Sequence, residues 1–390
     1  MAKAEEVKWA VDGSITDEAL EKQRSRIGKK FQVQGLNTES CRDNIRRFVD
    51  GIGDPNPLWR DEEYAKKTRY GSLVAPSSFL FSISWGGVML GMAGVHAFHS
   101  GNDWEFYLPI LPDYKIICDC TFAGFDEKFS DFAPRWLVEK WDTLYSNQKG
   151  DLLAKTRAYC VRAERTGMEK KGKYSYIQVP HPWTAEERRK IIEESLAVPV
   201  RGPEVRYWED VVVGEELPTL IKGPITMSDE VAFMMGTNAG RFEANEVAWR
   251  TFQKIPGYSM YHPESNADEF IEMVHVLNDA GRTTGLPGAY DFGAQRYSWV
   301  MQSVTHWIGD EGWLKKTSAL YRKFLYLGDV ARISGKVTKK YIDEDGEYCV
   351  DIESHCINQR NEDAVPANST VVLPSREKGI WPLDRRVSKK

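Results

Sequence analysis

The chain has 390 residues, 42% of them hydrophobic and 12% aromatic, with a formal net charge of −5. That length exceeds one ordinary domain and predicts two, each with a sizeable core. The acidic balance argues against a nucleic-acid surface, no apolar run approaches the roughly 20 residues that span a bilayer, and Met1–Lys8 lacks the apolar stretch of a signal peptide. A cytoplasmic chain is therefore expected, with its six cysteines (41, 118, 120, 160, 349 and 356) as free thiols.

Residues 1–30 are charged, with scattered apolar anchors from Trp9 to Ile27, and read as a leading segment packed on the first domain. A short extended piece, 31–37, precedes a helix start at Thr38–Ser40. Ile45, Phe48, Val49 and Ile52 have helical spacing that stops at Gly53. Asp54-Pro55-Asn56-Pro57 then forbids helix, because proline fixes its own torsion and pushes its predecessor toward extended geometry. A short charged helix over 60–67 leads through Gly71 to a nearly uncharged run, 79–98, which reads as one long buried helix. Four strands follow, over 104–110, 114–123, 134–144 and 152–162, with turns at 124–126 and 147–150.

Residues 168–173 form a charged linker, and Thr184 with Glu187 starts a capped helix running to about Ala197. The pattern then restarts. Val211–Val213 reads as a strand and Asp229–Met235 as a helix, whereas 236–271 has no clear periodicity. A second apolar helix is predicted over 297–308, followed by strands over 314–323, 330–340, 347–358 and 371–374, with a hairpin at Asp343–Gly346. The order helix, loop, glycine turn, buried helix, meander thus occurs twice. The boundaries read as 1–165, a linker 166–205, a second domain 206–375 and a tail 376–390.

Gly53-Asp54-Pro55-Asn56-Pro57-Leu58, with Asp61, Ala65 and Gly71 beyond it, resembles the MaoC-like acyl dehydratase family of hot-dog folds. In that family the motif ends in histidine, and its aspartate and histidine add water to, or remove it from, an enoyl thioester. Here Trp59 stands at the histidine position, and indole only donates. The second half resembles a tandem branch of the family through Tyr207–Asp210, His262-Pro263, Glu272-x-x-His275, Gly285-x-Pro287, Ala289-Tyr290-Asp291-x-Gly293, Gln295-Arg296, Trp307, Gly309-Asp310 and Gly328-Asp329. The family's aspartate position falls on Phe270. The resemblance implies an α+β double hot-dog, with two antiparallel sheets each wrapped around a long buried helix. It also implies a hydro-lyase (enoyl-CoA hydratase or acyl-CoA dehydratase) acting on a coenzyme A thioester, with a degenerate first half; a homo-oligomer, a dimer, is expected.

Hydration of an enoyl thioester needs a base for the water proton and an acid for the α-carbon, and a carboxylate with an imidazole supplies both. Glu272 and His275, three apart on one face, are the candidates for that pair. Backbone amides at the turn of Gly293 are placed to hold the enolate-like oxygen, as Pro76–Ser78 are in the first half. Asp291, Arg296, Asp54 and Asn56 are candidate substrate contacts. Each residue has an ordinary alternative: His275 a satisfied core histidine, Glu272 a solvated face, Asp291–Arg296 a buried ion pair, Asp54 and Asn56 loop caps. The cysteine and histidine spacings match no common metal motif, and no nucleotide-binding glycine fingerprint calls for a redox cofactor. A thioesterase and a non-catalytic acyl-CoA-binding subunit remain the alternative functions. The aromatic content points to a bulky or cyclic acyl group.

Overall fold

Trp136–Ser146 alternates buried and less buried side chains residue by residue, the period of a strand with one face on a core. In the first half the same alternation runs along β4 (Ile117–Lys128), β5 (Trp136–Ser146) and most of β6 (Leu152–Ala163), and along the end of β3 (His96–Phe106) from Asn102 onward. In the second half it builds β10 (Trp313–Leu320), β11 (Ala331–Ile342), β12 (Tyr348–Asn358) and β13 (Ala367–Val372). Short strands β2 (Lys30–Gln32) and β7 (Leu220–Lys222) finish the two outer edges. The computed structural model describes residues 6–32, 37–92, 94–130, 134–165, 174, 176–239 and 242–387. The charged linker 168–173, part of the extended piece 31–37 and the end of the tail lie outside them. No helix among the described residues is long and apolar enough to cross a membrane.

The two strand sets join into one antiparallel sheet ordered β2-β4-β5-β6-β3-β10-β13-β12-β11-β7. Each half is the mirror listing of the other, so the repeat read from the sequence is a repeat of topology. The seam is the β3–β10 pairing, with Thr317 opposite Trp104 and Leu320 opposite Gly101. The fold is an α+β double hot-dog, but its halves share one continuous sheet where two separate ones were expected.

The second half holds the expected long helix, Gly293–Ile308, buried along nearly its whole length. Burying side chains such as Val300 and Val304 stabilises the half by about 1.5–3 kcal/mol each. The first half departs from expectation. Where one helix was predicted over 79–98, the chain forms a 3-10 turn at Ser77–Ser82, a second at Val88–Leu90, and then enters β3. Gly87 is the reason: its backbone is left-handed (φ 82°), and a Cβ there would sit 2.4 Å from the Trp141 ring. An α-helix cannot pass through that torsion.

Helix Arg42–Ile52 ends at Gly53 as predicted, in the left-handed conformation. It packs on helix Met227–Thr237, its counterpart in the second half. The stretch 236–271 is not structureless: it carries helix Glu246–Lys254 and the hairpin β8 (Ser259–His262) with β9 (Ala267–Phe270). That hairpin takes β1 (Lys8–Trp9) as a third strand, so the leading segment crosses to the second half. Helix Asp17–Arg24, by contrast, packs on the first half through Leu20 and Leu137. The strand read at Val211–Val213 lies instead at β7, after a 3-10 turn at Trp208–Asp210. All six cysteines are unpaired, and Cys118 and Cys120 are buried together on one face of β4.

Candidate active site

A cavity of about 490 Å³ opens between the halves. The start of β3 and the end of β6 form one wall, and the 3-10 turn Ile271–His275 with the start of helix Gly293–Ile308 forms the other. Glu272, His275, Asp291, Gly293 and Arg296 all line it. In a 3-10 turn residues i and i+3 eclipse, so Glu272 and His275 stand one above the other.

Their surroundings set opposite protonation states. His275 Nδ1 lies 2.7 Å from the carbonyl oxygen of Tyr290. A carbonyl only accepts, so Nδ1 carries the proton and Nε2 keeps its lone pair. The ring stacks on Phe292, centroids 3.6 Å apart, and burial lowers its pKa to about 3. His275 is therefore a neutral imidazole with a fixed tautomer. Glu272 is 7% exposed, and its Oε2 has no hydrogen-bond partner among the described residues. Burial raises its pKa to about 8, so at neutral pH the carboxyl keeps its proton.

Gly293 opens the 16-residue helix, and its N–H has no intrahelical acceptor. A Cβ at this position would lie 2.6 Å from the Tyr321 ring and 3.1 Å from the His99 carbonyl oxygen, so only glycine brings the helix end this close. The helix dipole favours negative charge there. Asp291 and Arg296 form a bidentate pair, both contacts 2.6 Å. Arg296 also donates to Lys323 O, and Asp291 accepts from Leu325 N at 3.1 Å. With their hydrogen bonds directed at each other and at backbone, this pair clamps the start of the helix.

Asp54 and Asn56 stand apart from that cavity, and this corrects their grouping with the other candidates. Asp54 is 1% exposed and accepts from His306 Nε2 (2.8 Å), Trp59 Nε1 (3.0 Å) and Asn56 N (3.0 Å). Burial opposes its charge, but the hydrogen bond and charge of His306 outweigh it and hold the carboxyl below its usual range. Asn56 Oδ1 caps Leu58 N at 3.0 Å. The cleft lined by Asn56 and Trp59 holds only about 40 Å³.

Residues 25–156 match the sequence model of the FAS1-like dehydratase domain region. A UPF0336 protein of Thermobifida fusca is 45% identical over 107 residues, which are 26% of this chain and 70% of that protein. A UPF0336 protein of Streptomyces avermitilis is 43% identical over 93 residues, 22% of this chain and 62% of that protein. A solved MaoC-like dehydratase superposes with a TM-score of 0.64 at 15% identity, covering 90% of this chain and 99% of its own. The chain belongs to the family of these UPF0336 proteins, and its fold is that of the MaoC-like dehydratases. A conserved hypothetical protein of Mycobacterium tuberculosis, described as a double hotdog fold, superposes at 0.55 with 10% identity over 89% of this chain and 96% of its own.

Set against the MaoC-like motif, Trp59 fills the histidine position with a ring that only donates, and it donates to the motif's own aspartate. Sequence reasoning missed the first half's contribution to the cavity of Glu272 and His275. His96, His99 and Arg165 line it from β3 and the end of β6. The signal was His96-x-x-His99, hidden in an apolar run read as helix. His96 Nε2 lies 3.3 Å from the Tyr290 hydroxyl, so Tyr290 touches His275 through its carbonyl and His96 through its ring.

Proposed function

We propose that this chain is a hydro-lyase that adds water to an enoyl thioester or removes it from the 3-hydroxyacyl product. One observation carries the reading: Glu272 in its acid form and His275 in its base form line the same cavity as a helix amino terminus. In the forward direction a water molecule hydrogen-bonds to His275 Nε2. The imidazole takes its proton as the oxygen bonds to the β-carbon. Glu272 donates its proton to the α-carbon, and the negative charge passing through the thioester oxygen rests on the Gly293 N–H. Proton transfer from His275 back to Glu272 restores the starting state. Dehydration runs the same steps in reverse.

Trp85, Met92, Phe98, Val274 and Phe324 give the cavity apolar walls, which suit a bulky acyl chain. Coenzyme A is the carrier assigned to the thioester. The test is mass spectrometry of products from a panel of enoyl-CoAs of rising bulk, with His275→Ala beside the unaltered chain. Products heavier by one water, absent in the variant, support the reading. Release of free thiol without hydration would replace it with a thioesterase.

A further inference from the structure

The cavity wall carries three buried guanidinium groups, and only two are matched. Arg162 pairs with Glu139 at 2.9 Å and Arg296 with Asp291 at 2.6 Å, both acids fully buried. Arg165 is 5% exposed, yet among the described residues no carboxylate lies within ion-pair distance of it. One nitrogen, Nη1, donates to Val11 O at 2.7 Å, and the guanidinium lies 3.7 Å over the Trp9 ring. Its Nε is buried without a partner. Asp12 acts on it only through space. A buried cation without a counter-charge is strongly unfavourable, because its hydration is lost and nothing replaces it.

The groups that line the cavity leave no carboxylate free for it, because Asp291 is taken by Arg296. Glu272 is protonated, and His96 and His275 are both pushed toward their neutral forms by burial. Lys254, exposed at the rim, adds a second positive charge. Arg165 and His275 both act electrostatically on His96, so the unmatched cation lies close to the reacting groups.

We propose that Arg165 binds an anionic oxygen group of the substrate, and that this group is a carboxylate on the acyl chain. The proposal rests on the hydro-lyase reading and names its substrate class: thioesters whose acyl part carries a free acid. A carrier phosphate has the same chemistry. Its place, however, is the solvent-facing rim where Lys254 stands, whereas Arg165 is walled in by Trp9.

The test is equilibrium binding by calorimetry to the full chain, with saturated thioesters that cannot react. Binding is then readable even if no hydration occurs, and the two readings fail separately. N-acetylcysteamine monothioesters of glutaric to suberic acid are compared with pentanoyl to octanoyl esters of equal length, and each acyl group is repeated on coenzyme A. The expected result is at least tenfold tighter binding of one or more acid-bearing chains on both carriers, lost in Arg165→Met and partly kept in Arg165→Lys. A preference for coenzyme A alone, abolished in Arg165→Met, would overturn the carboxylate and assign the anion to the carrier. Equal binding of acid and neutral chains on both carriers by the unaltered chain would overturn the proposal, whatever the fate of the variants.

Discussion

Asp54 and Glu272 are both buried carboxyl groups with a histidine beside them, yet they sit in opposite protonation states. Asp54 is bonded to His306, Trp59 and the loop backbone, and its charge survives burial because three donors replace water. Glu272 has an oxygen with no partner among the described residues, so burial wins and the proton stays on. The imidazoles differ in the same way. His306 has one nitrogen bonded to Asp54 and the other buried without a partner among the described residues, whereas His275 gives its Nδ1 proton to a backbone carbonyl and lines the same cavity as Glu272. A carboxyl and an imidazole that satisfy each other hold a structure together. The same two groups, each bonded to something other than its neighbour and both facing one cavity, have the arrangement that proton transfer needs.

Substitution at the imidazoles is the harshest way to break this contrast. His275→Gln is expected to lower the hydration rate by about 10²–10⁴-fold, with His306→Gln leaving the rate per folded molecule within a few fold. Equal losses in initial-rate assays would remove the distinction. Asp54→Ala is expected to destabilise the fold by about 3–5 kcal/mol, since it leaves His306, Trp59 and the loop amide without their acceptor, and denaturant unfolding reads this directly.

The two carboxyls also predict opposite pH slopes. Glu272 has a native pKa raised to about 8, so the folded state binds the extra proton above the usual carboxyl range. Its contribution to stability falls as pH rises toward 8, by up to about 1.4 kcal/mol per unit, and Glu272→Gln flattens that slope. The hydration rate falls above the same pH as the acid form is lost. Asp54 has a lowered native pKa, so its contribution is complete above the unfolded value, about 4, and is lost on acidification below it. Thermal melts across pH 3–9 check both. The smallest effect is expected from Trp59→His. Restoring the family's residue brings no second activity, because the cleft beside it holds only about 40 Å³.

The second-half candidates were legible because their order along the chain is distinctive and because Glu272 and His275 are close in sequence. Alternation also marked the strands of both meanders to within a few residues, except β3, which begins eight residues before the strand expected at 104. The run 79–98 was misread because a buried helix and a buried irregular segment have the same apolar composition, and left-handed Gly87 decides between them only once Trp141 packs against it. Helix Glu246–Lys254 escaped because only Ala248 and Phe252 point inward, too few for a periodic signal. Arg165 gave none: its partners, Val11 and Trp9, lie more than 150 residues away in the chain.

The continuous seam between β3 and β10 fixes the two repeats at one copy each within a single polypeptide. In an assembly of two identical subunits, one codon change alters both copies at once, so a lost imidazole is lost twice. Fusion removes that coupling. The Asp54 loop could become a structural post without any change at the Glu272–His275 turn.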